Sequence, residues 1–179
     1  MPTLVGPTES VHRSFLAAMA EFQAEGRGRP DDATSLGEEL RRYGTQWTDV
    51  TGFHRFVAEL LAQVREEAPR PDGWVPTTYL WWVDGPEYLG RLAVRHRLTP
   101  VLRELGGHIG YDVRPTARRR GHATAMLRAA LPIAHRLGID PALIMCDVTN
   151  VASRLVIERN GGKPAGQHGD KLHFWLPTG

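Results

Sequence analysis

A single cysteine, Cys146, stands in a chain of 179 residues. One thiol excludes an internal disulfide and any cysteine-based zinc cluster. Its setting, the apolar run "ALIMCDV" (Ala142–Val148), is that of a buried core thiol rather than a nucleophile. No apolar run reaches the ~18 residues needed to cross a bilayer, and no signal-peptide hydrophobic region opens the chain, so a cytoplasmic location is the default expectation. Lysine is scarce as well: only Lys163 and Lys171, every other strong base being arginine. The net charge of +2 is too small to imply a nucleic-acid binder, despite a pI near 9.0. There is no repeat or low-complexity tract, and the length favours one domain, residues 1–179, with a core of its own.

The patterning that is present reads as an α/β protein. "TLVGPT" (Thr3–Thr8) predicts a short strand, and the stretch after Ser10 a helix with Phe15, Leu16, Met19 and Phe22 at helical spacing, stopped at Gly26. Gly26–Ser35 is loop by composition. Thr51–Pro69 predicts an amphipathic helix with Phe53, Phe56, Val57, Leu60, Leu61 and Val64 on one face. The texture then turns β: "TTYLWWVD" (Thr77–Asp84), a turn, "YLGRLAVRHRL" (Tyr88–Leu98) and "HIGYDV" (His108–Val113). A helix from Gly121 to Gly138 with Pro132 inside it, a buried strand Ala142–Val148, a short helix opened by Asn150 and a last strand Lys171–Pro177 complete the order. Strand–helix–strand repetition in the second half predicts a parallel crossover, and its strand-to-helix turn is a ligand position in such sheets.

That turn reads "VRPTARRRGHATAM" (Val113–Met126). A helix N-terminus offers unpaired N–H groups and partial positive charge, so it favours anions. Gly121 and Ala123 keep bulk away from the main chain, His122 lies between them, Thr124 adds a hydroxyl, and Arg118, Arg119 and Arg120 supply charge. The pattern is that of a diphosphate site. It is not a nucleotide P-loop, since no lysine stands near, and the dinucleotide GxGxxG is absent.

The stretch resembles the pyrophosphate-binding signature of the GNAT acyltransferase superfamily, met here as Arg118-x-x-Gly121-x-Ala123. Val113-Arg114-Pro115 stands where the family has its Val-x-Pro element, and "NVASRLVIERNGG" from Asn150 is similar to its asparagine-led helix closing on glycine. The resemblance spans roughly Thr77 to Gly162. It implies a GNAT-like mixed sheet, antiparallel in its N-terminal half, with the crossover splayed where coenzyme A sits. It implies acetyl transfer from acetyl-CoA to a primary amine by direct attack on the thioester, with no metal, nucleic acid or membrane as partner. A small-molecule acceptor is expected, and a protein lysine is the alternative. Either a monomer or a homodimer is compatible with the sequence.

The coenzyme contacts so implied are Val113, Arg114, Pro115, Arg118 to Arg120, Gly121, His122, Ala123, Thr124, Asn150 and Ser153, with the Val113 amide as oxyanion donor, a role worth ~3 kcal/mol. A lysine-like acceptor must be presented neutral, which costs about 4.6 kcal/mol at pH 7. His108, Glu104 and His96 are the candidate general bases by strand position. Relatives often carry a thiolate-protonating tyrosine seven residues after the asparagine; here that position is Ile157, and Ser153 is the nearest polar substitute. The missing tyrosine motivates a rival reading, a non-catalytic acyl-CoA-binding module. Trp47, Phe53, Trp74, Trp81 and Trp82 are the aromatics available to an acceptor pocket.

Overall fold

The computed structural model describes residues 1–179. A seven-stranded sheet forms its middle layer: β1 (Thr3–Val5), β2 (Thr77–Asp84), β3 (Glu87–Arg95), β4 (Ile109–Val113), β5 (Ala142–Asp147), β6 (Lys163–His168) and β7 (Lys171–Leu176), in the spatial order β1-β2-β3-β4-β5-β7-β6. All neighbouring pairs are antiparallel except β4–β5, whose parallel pairing follows from the crossover through α5 (His122–Arg136). The expected mixed sheet is present, with an antiparallel trio after the crossover as well as the antiparallel meander before it.

Alternation along β2 sorts its side chains to two cores. Leu80 and Trp82 join Leu92, Ile109, Met126 and Ile144 on the face covered by α5 and by α6 (Val151–Arg159). Trp81 and Val83 face the other way, into an aromatic cluster with Phe15 and Phe22 of α1 (His12–Ala24) and Phe53 and Phe56 of α3 (Val50–Ala62). Trp47, Phe53 and Trp81 are 1–2 % exposed, which makes them core and removes them from any pocket. Pro132 lies inside α5 without ending it; its missing N–H falls opposite Arg128, on the solvent face.

Several expectations need correction. The first strand stops at Val5, and the first helix is preceded by a 3-10 turn, Glu9–Val11, capped by Thr8 rather than Ser10. The Thr51–Pro69 helix ends at Ala62, because the Gln63 carbonyl leaves the helix to accept the Thr77 N–H at 2.9 Å. Val64 is therefore 44 % exposed and not on the buried face. Two helices were not expected: α2 (Ser35–Tyr43) and α4 (Pro100–Leu105), capped by Thr34 and Thr99. Strand β6 was not expected either; every residue in it is exposed.

A buried ion pair fixes α2 against the sheet. Arg91 of β3 and Glu39 of α2, 6 % and 4 % exposed, meet in a bidentate pair. Burial makes each charge dependent on the other, since losing one partner strands its mate in a low dielectric.

Candidate functional site

The parallel pair β4–β5 is joined by one bridge, Ile109 with Ile144. At its closed end the His108 N–H donates to the Leu143 carbonyl at 2.7 Å. Gly107 precedes it at φ +67°, and a Cβ there would meet the Leu143 carbonyl oxygen at 2.6 Å, so only glycine lets the strands approach. Past Ile109 the strands part. Arg114 donates its N–H to Leu89 of β3 at 2.9 Å, so by alternation the N–H groups of Val113 and Tyr111 point toward the gap.

The wide end of the gap meets the start of α5. The first helical bond is Ala125 N–H to the Gly121 carbonyl, and no side chain caps this end. The N–H groups of His122, Ala123 and Thr124 are therefore left without intrahelical partners. Gly121 holds φ +80°, and nothing lies within 4 Å of where its Cβ would stand. Arg119 takes φ +62°, a rare conformation for a non-glycine residue. Side chains thus turn away and main-chain nitrogens face an open concavity.

The four arginines divide. Arg114 is 15 % exposed and bound to Glu21 of α1 at 2.8 Å, to Ser14 at 3.0 Å and to Glu87 at 3.4 Å. Arg118 grips Glu25 at 2.7 and 2.8 Å and donates to the Val113 carbonyl at 3.2 Å. Both tie the turn to α1, so in this structure their guanidinium groups are paired with carboxylates of that helix. Arg119 and Arg120 are exposed and form none of the ion pairs of the structure. Pro115 opens a 3-10 turn, Pro115–Ala117. The His122 Nδ1 accepts the Trp82 indole N–H at 3.2 Å.

On the other wall, Asn150 caps α6 by accepting the Ser153 N–H at 3.0 Å. The Ser153 hydroxyl sits 2.6 Å from the Tyr111 hydroxyl, bridging β4 to α6. Burial pushes the Tyr111 phenol up to about 12, so it stays protonated at neutral pH. Tyr111 was not among the expected site residues, since the tyrosine position that the resemblance implies is 157; Ile157 there is fully buried and closes the core.

The candidate bases fare differently. His108 Nδ1 accepts the Leu143 N–H at 2.9 Å, and burial, with Arg103 and Arg95 nearby, pulls its pKa down to about 4. A neutral imidazole accepting at Nδ1 carries its proton on Nε2, so neither nitrogen keeps a free lone pair. Glu104 is on α4 rather than on a strand, 59 % exposed and 3.7 Å from His168 at the sheet's far side. His96 lies just past β3 and bonds Thr78 at 2.8 Å. The structure does not bring these three together.

On the face of the sheet beneath α2 lies a cavity of about 590 Å³, lined among others by Ser35, Trp74, Tyr79, Arg95, Leu102 and Leu105. Trp74, 38 % exposed, is the one expected aromatic that opens onto it. The Arg95 guanidinium lies 3.6–3.7 Å from where a Cβ on Gly110 would stand, so the cavity abuts β4 just beyond the last bridge to β5. No cluster of His, Cys, Asp or Glu side chains could hold a metal ion.

A parallel pair that opens onto an uncapped helix, beside a cavity on the face beneath α2, is an α/β arrangement with room for an extended anionic ligand and a second, smaller one. The family model of the GNAT acetyltransferase domain matches residues 29–163, and the chain belongs to that family. Solved structures agree in fold. The microcin C7 self-immunity acetyltransferase MccE, in complex with acetyl-CoA and AMP, superposes with a TM-score of 0.65 at 11 % identity, over 98 % of this chain and 92 % of that one. RimL, the ribosomal L7/L12 α-N-protein acetyltransferase in complex with coenzyme A, gives 0.61 at 16 % identity, over 97 % and 92 %. RimJ of Mycobacterium smegmatis, in complex with CoA-disulfide, gives 0.61 at 17 %, over 98 % and 80 %. No curated protein matches the chain in sequence.

Proposed function

We propose that the protein moves an acetyl group from acetyl-CoA to the primary amine of a small molecule. The observation that carries this reading is the gap between β4 and β5, which opens onto the uncapped start of α5. The diphosphate is held by the free N–H groups of His122, Ala123 and Thr124, with Arg119 and Arg120 as the mobile cations around it. Arg114 and Arg118 act through the turn they brace, not through contact with phosphate. The open edge of β4 receives the pantetheine arm, and the Val113 N–H is the donor for the oxyanion that forms as the amine attacks.

The amine nitrogen bonds to the thioester carbon, the carbon–sulfur bond breaks, and sulfur leaves with the electron pair. Ser153 delivers the proton that the sulfur takes up, Tyr111, 2.6 Å behind it and protonated, replaces that proton, and the phenolate recovers one from the solvent that takes the acceptor's proton. This pair stands in for the tyrosine absent at position 157. With the His108 lone pair occupied, the acceptor loses its proton to solvent in the cleft. A concave cavity of about 590 Å³ suits a small molecule better than a protein surface, which supports that choice over a protein lysine.

The test is an acceptor screen reading free thiol from acetyl-CoA. Release that depends on a small amine is expected. Coenzyme that binds tightly but releases no thiol with any amine would instead establish the non-catalytic binding module.

A further inference from the structure

We infer that the acceptor carries a carboxylate beside its amine and an apolar side chain, and that Arg95 is the residue that selects it; this rests on the acetyl-transfer reading above. Arg95 closes β3, half-buried, at the floor of the cavity. Its hydrogen bonds all go to neutral oxygens: the carbonyls of Gly106 and Gly107 at 3.2 Å and the Ser35 hydroxyl at 3.3 Å. The charged neighbours that reach it are Arg91 and the ionisable Tyr79, neither of them a carboxylate, and burial pulls its pKa below the ordinary arginine value.

The acids on this face are engaged elsewhere. Glu39 is bound to Arg91, Glu38 to Arg41, and both Asp112 and Asp32 to Arg27. Asp72 stands at the exposed rim. An arginine withdrawn from water without an anion is costly, and here the missing anion has a cavity to arrive through. The Ser35 oxygen accepts from Arg95, which leaves its O–H free to donate. Guanidinium and hydroxyl thus converge on one spot.

Position and walls narrow the class. The guanidinium lies over Gly110, three residues before the Val113 N–H proposed for the oxyanion and about 10 Å from it along the strand; contact distances at each end leave a span that a carboxylate and an amine a few bonds apart would bridge. Trp74, Val101 and Leu105 line the cavity at 38 %, 64 % and 59 % exposure, an apolar wall in need of a cover. An amino acid with an apolar side chain meets all three demands.

The experiment compares N-acetyl-L-phenylalanine with its carboxamide by calorimetry, on the wild type, Arg95→Gln and Arg95→Lys. The two probes are near-isosteric and differ in charge and in one acceptor oxygen replaced by an NH2 donor. A charge-assisted bond of this kind predicts that the acid binds about 10- to 100-fold more tightly than the amide, that Arg95→Gln erases the difference, and that Arg95→Lys keeps part of it. Equal binding of both probes by the wild type, binding of neither, or an acid preference that survives Arg95→Gln overturns the assignment. Should Arg95→Gln fail to fold, the wild-type comparison and the lysine variant still decide. Free thiol from acetyl-CoA is read in parallel with phenylalanine and phenylalaninamide. Acid-selective binding with no thiol release leaves Arg95 standing and removes the transferase reading; release with the amide as fast as with the acid does the reverse.

Discussion

Replacing Gly121 separates the backbone demand of the turn that opens α5 from its electrostatics. The residue holds φ +80°, and an added Cβ meets nothing within 4 Å. Gly121→Ala should therefore cost roughly 1–2 kcal/mol of stability for the left-handed conformation, without a clash. Gly121→Glu bears the same backbone strain and adds a carboxylate at the mouth of the concavity. At a separation of about 5 Å and an effective dielectric of about 20, one such charge repels one phosphoryl charge by about 3 kcal/mol. Acetyl-CoA affinity should then fall by about two orders of magnitude relative to Gly121→Ala, while the two apo proteins melt at similar temperatures. Calorimetric titration of both variants with acetyl-CoA is the assay. Equal affinities would falsify the placement of the diphosphate at the start of α5.

Three further outcomes are expected. Ser153→Ala and Tyr111→Phe should each lower kcat by about 10²-fold with little change in the acetyl-CoA KM, and an unaltered kcat in both would remove the hydroxyl pair from the reaction. Glu39→Ala strands buried Arg91 and should cost about 3–5 kcal/mol in urea unfolding, whereas replacing both partners by methionine should recover most of that; a cheap single variant would show that the pair is wetter than its burial implies. His108 has its folded pKa lowered to about 4, so between about pH 4 and 6.5 the unfolded chain binds more protons at this site. Its contribution is present above pH 6.5 and is lost as pH falls toward 4; His108→Asn, which keeps an acceptor for Leu143, should flatten that slope in unfolding titrations.

The parts of the fold that were legible in the sequence were those with a periodic apolar signal. Strand β2 has the bounds its aromatic and β-branched run predicts, and the Asn150 cap opens α6 as expected. Helix α2 escaped notice because "SLGEELRRY" offers only Leu36 and Leu40 as an apolar stripe, with a glycine between them. Its signal was the Thr34 cap. Thr99-Pro100 announces α4 in the same way, by a capping hydroxyl followed by proline at the first helical position. Strand β6 has no hydrophobic alternation to read: "KPAGQH" is an exposed edge held by backbone pairing with β7, irregular between Pro164 and Gly166.

The candidate site divides along similar lines. The conformation of the glycine turn could be read locally, because a left-handed Gly121 and an uncapped helix start depend on neighbouring residues alone. The allotment of Arg114 and Arg118 to Glu21 and Glu25, some 93 positions away, is a tertiary fact. So is the meeting of Tyr111 with Ser153 across 42 positions, and the absence of an acid beside Arg95. No local pattern encodes such pairings.

The lone Ile109–Ile144 bridge has a consequence for how the molecule holds together. Strands β5, β7 and β6 form a three-stranded flap whose backbone attachment to the other four strands is that rung and the His108–Leu143 bond beside it, reinforced by packing beneath α5. An acyl donor lying in the cleft would act as a removable splice between the two halves, contributing in proportion to the logarithm of its concentration. On that placement of the donor, the C-terminal flap would be the part whose loosening a scarcity of donor favours.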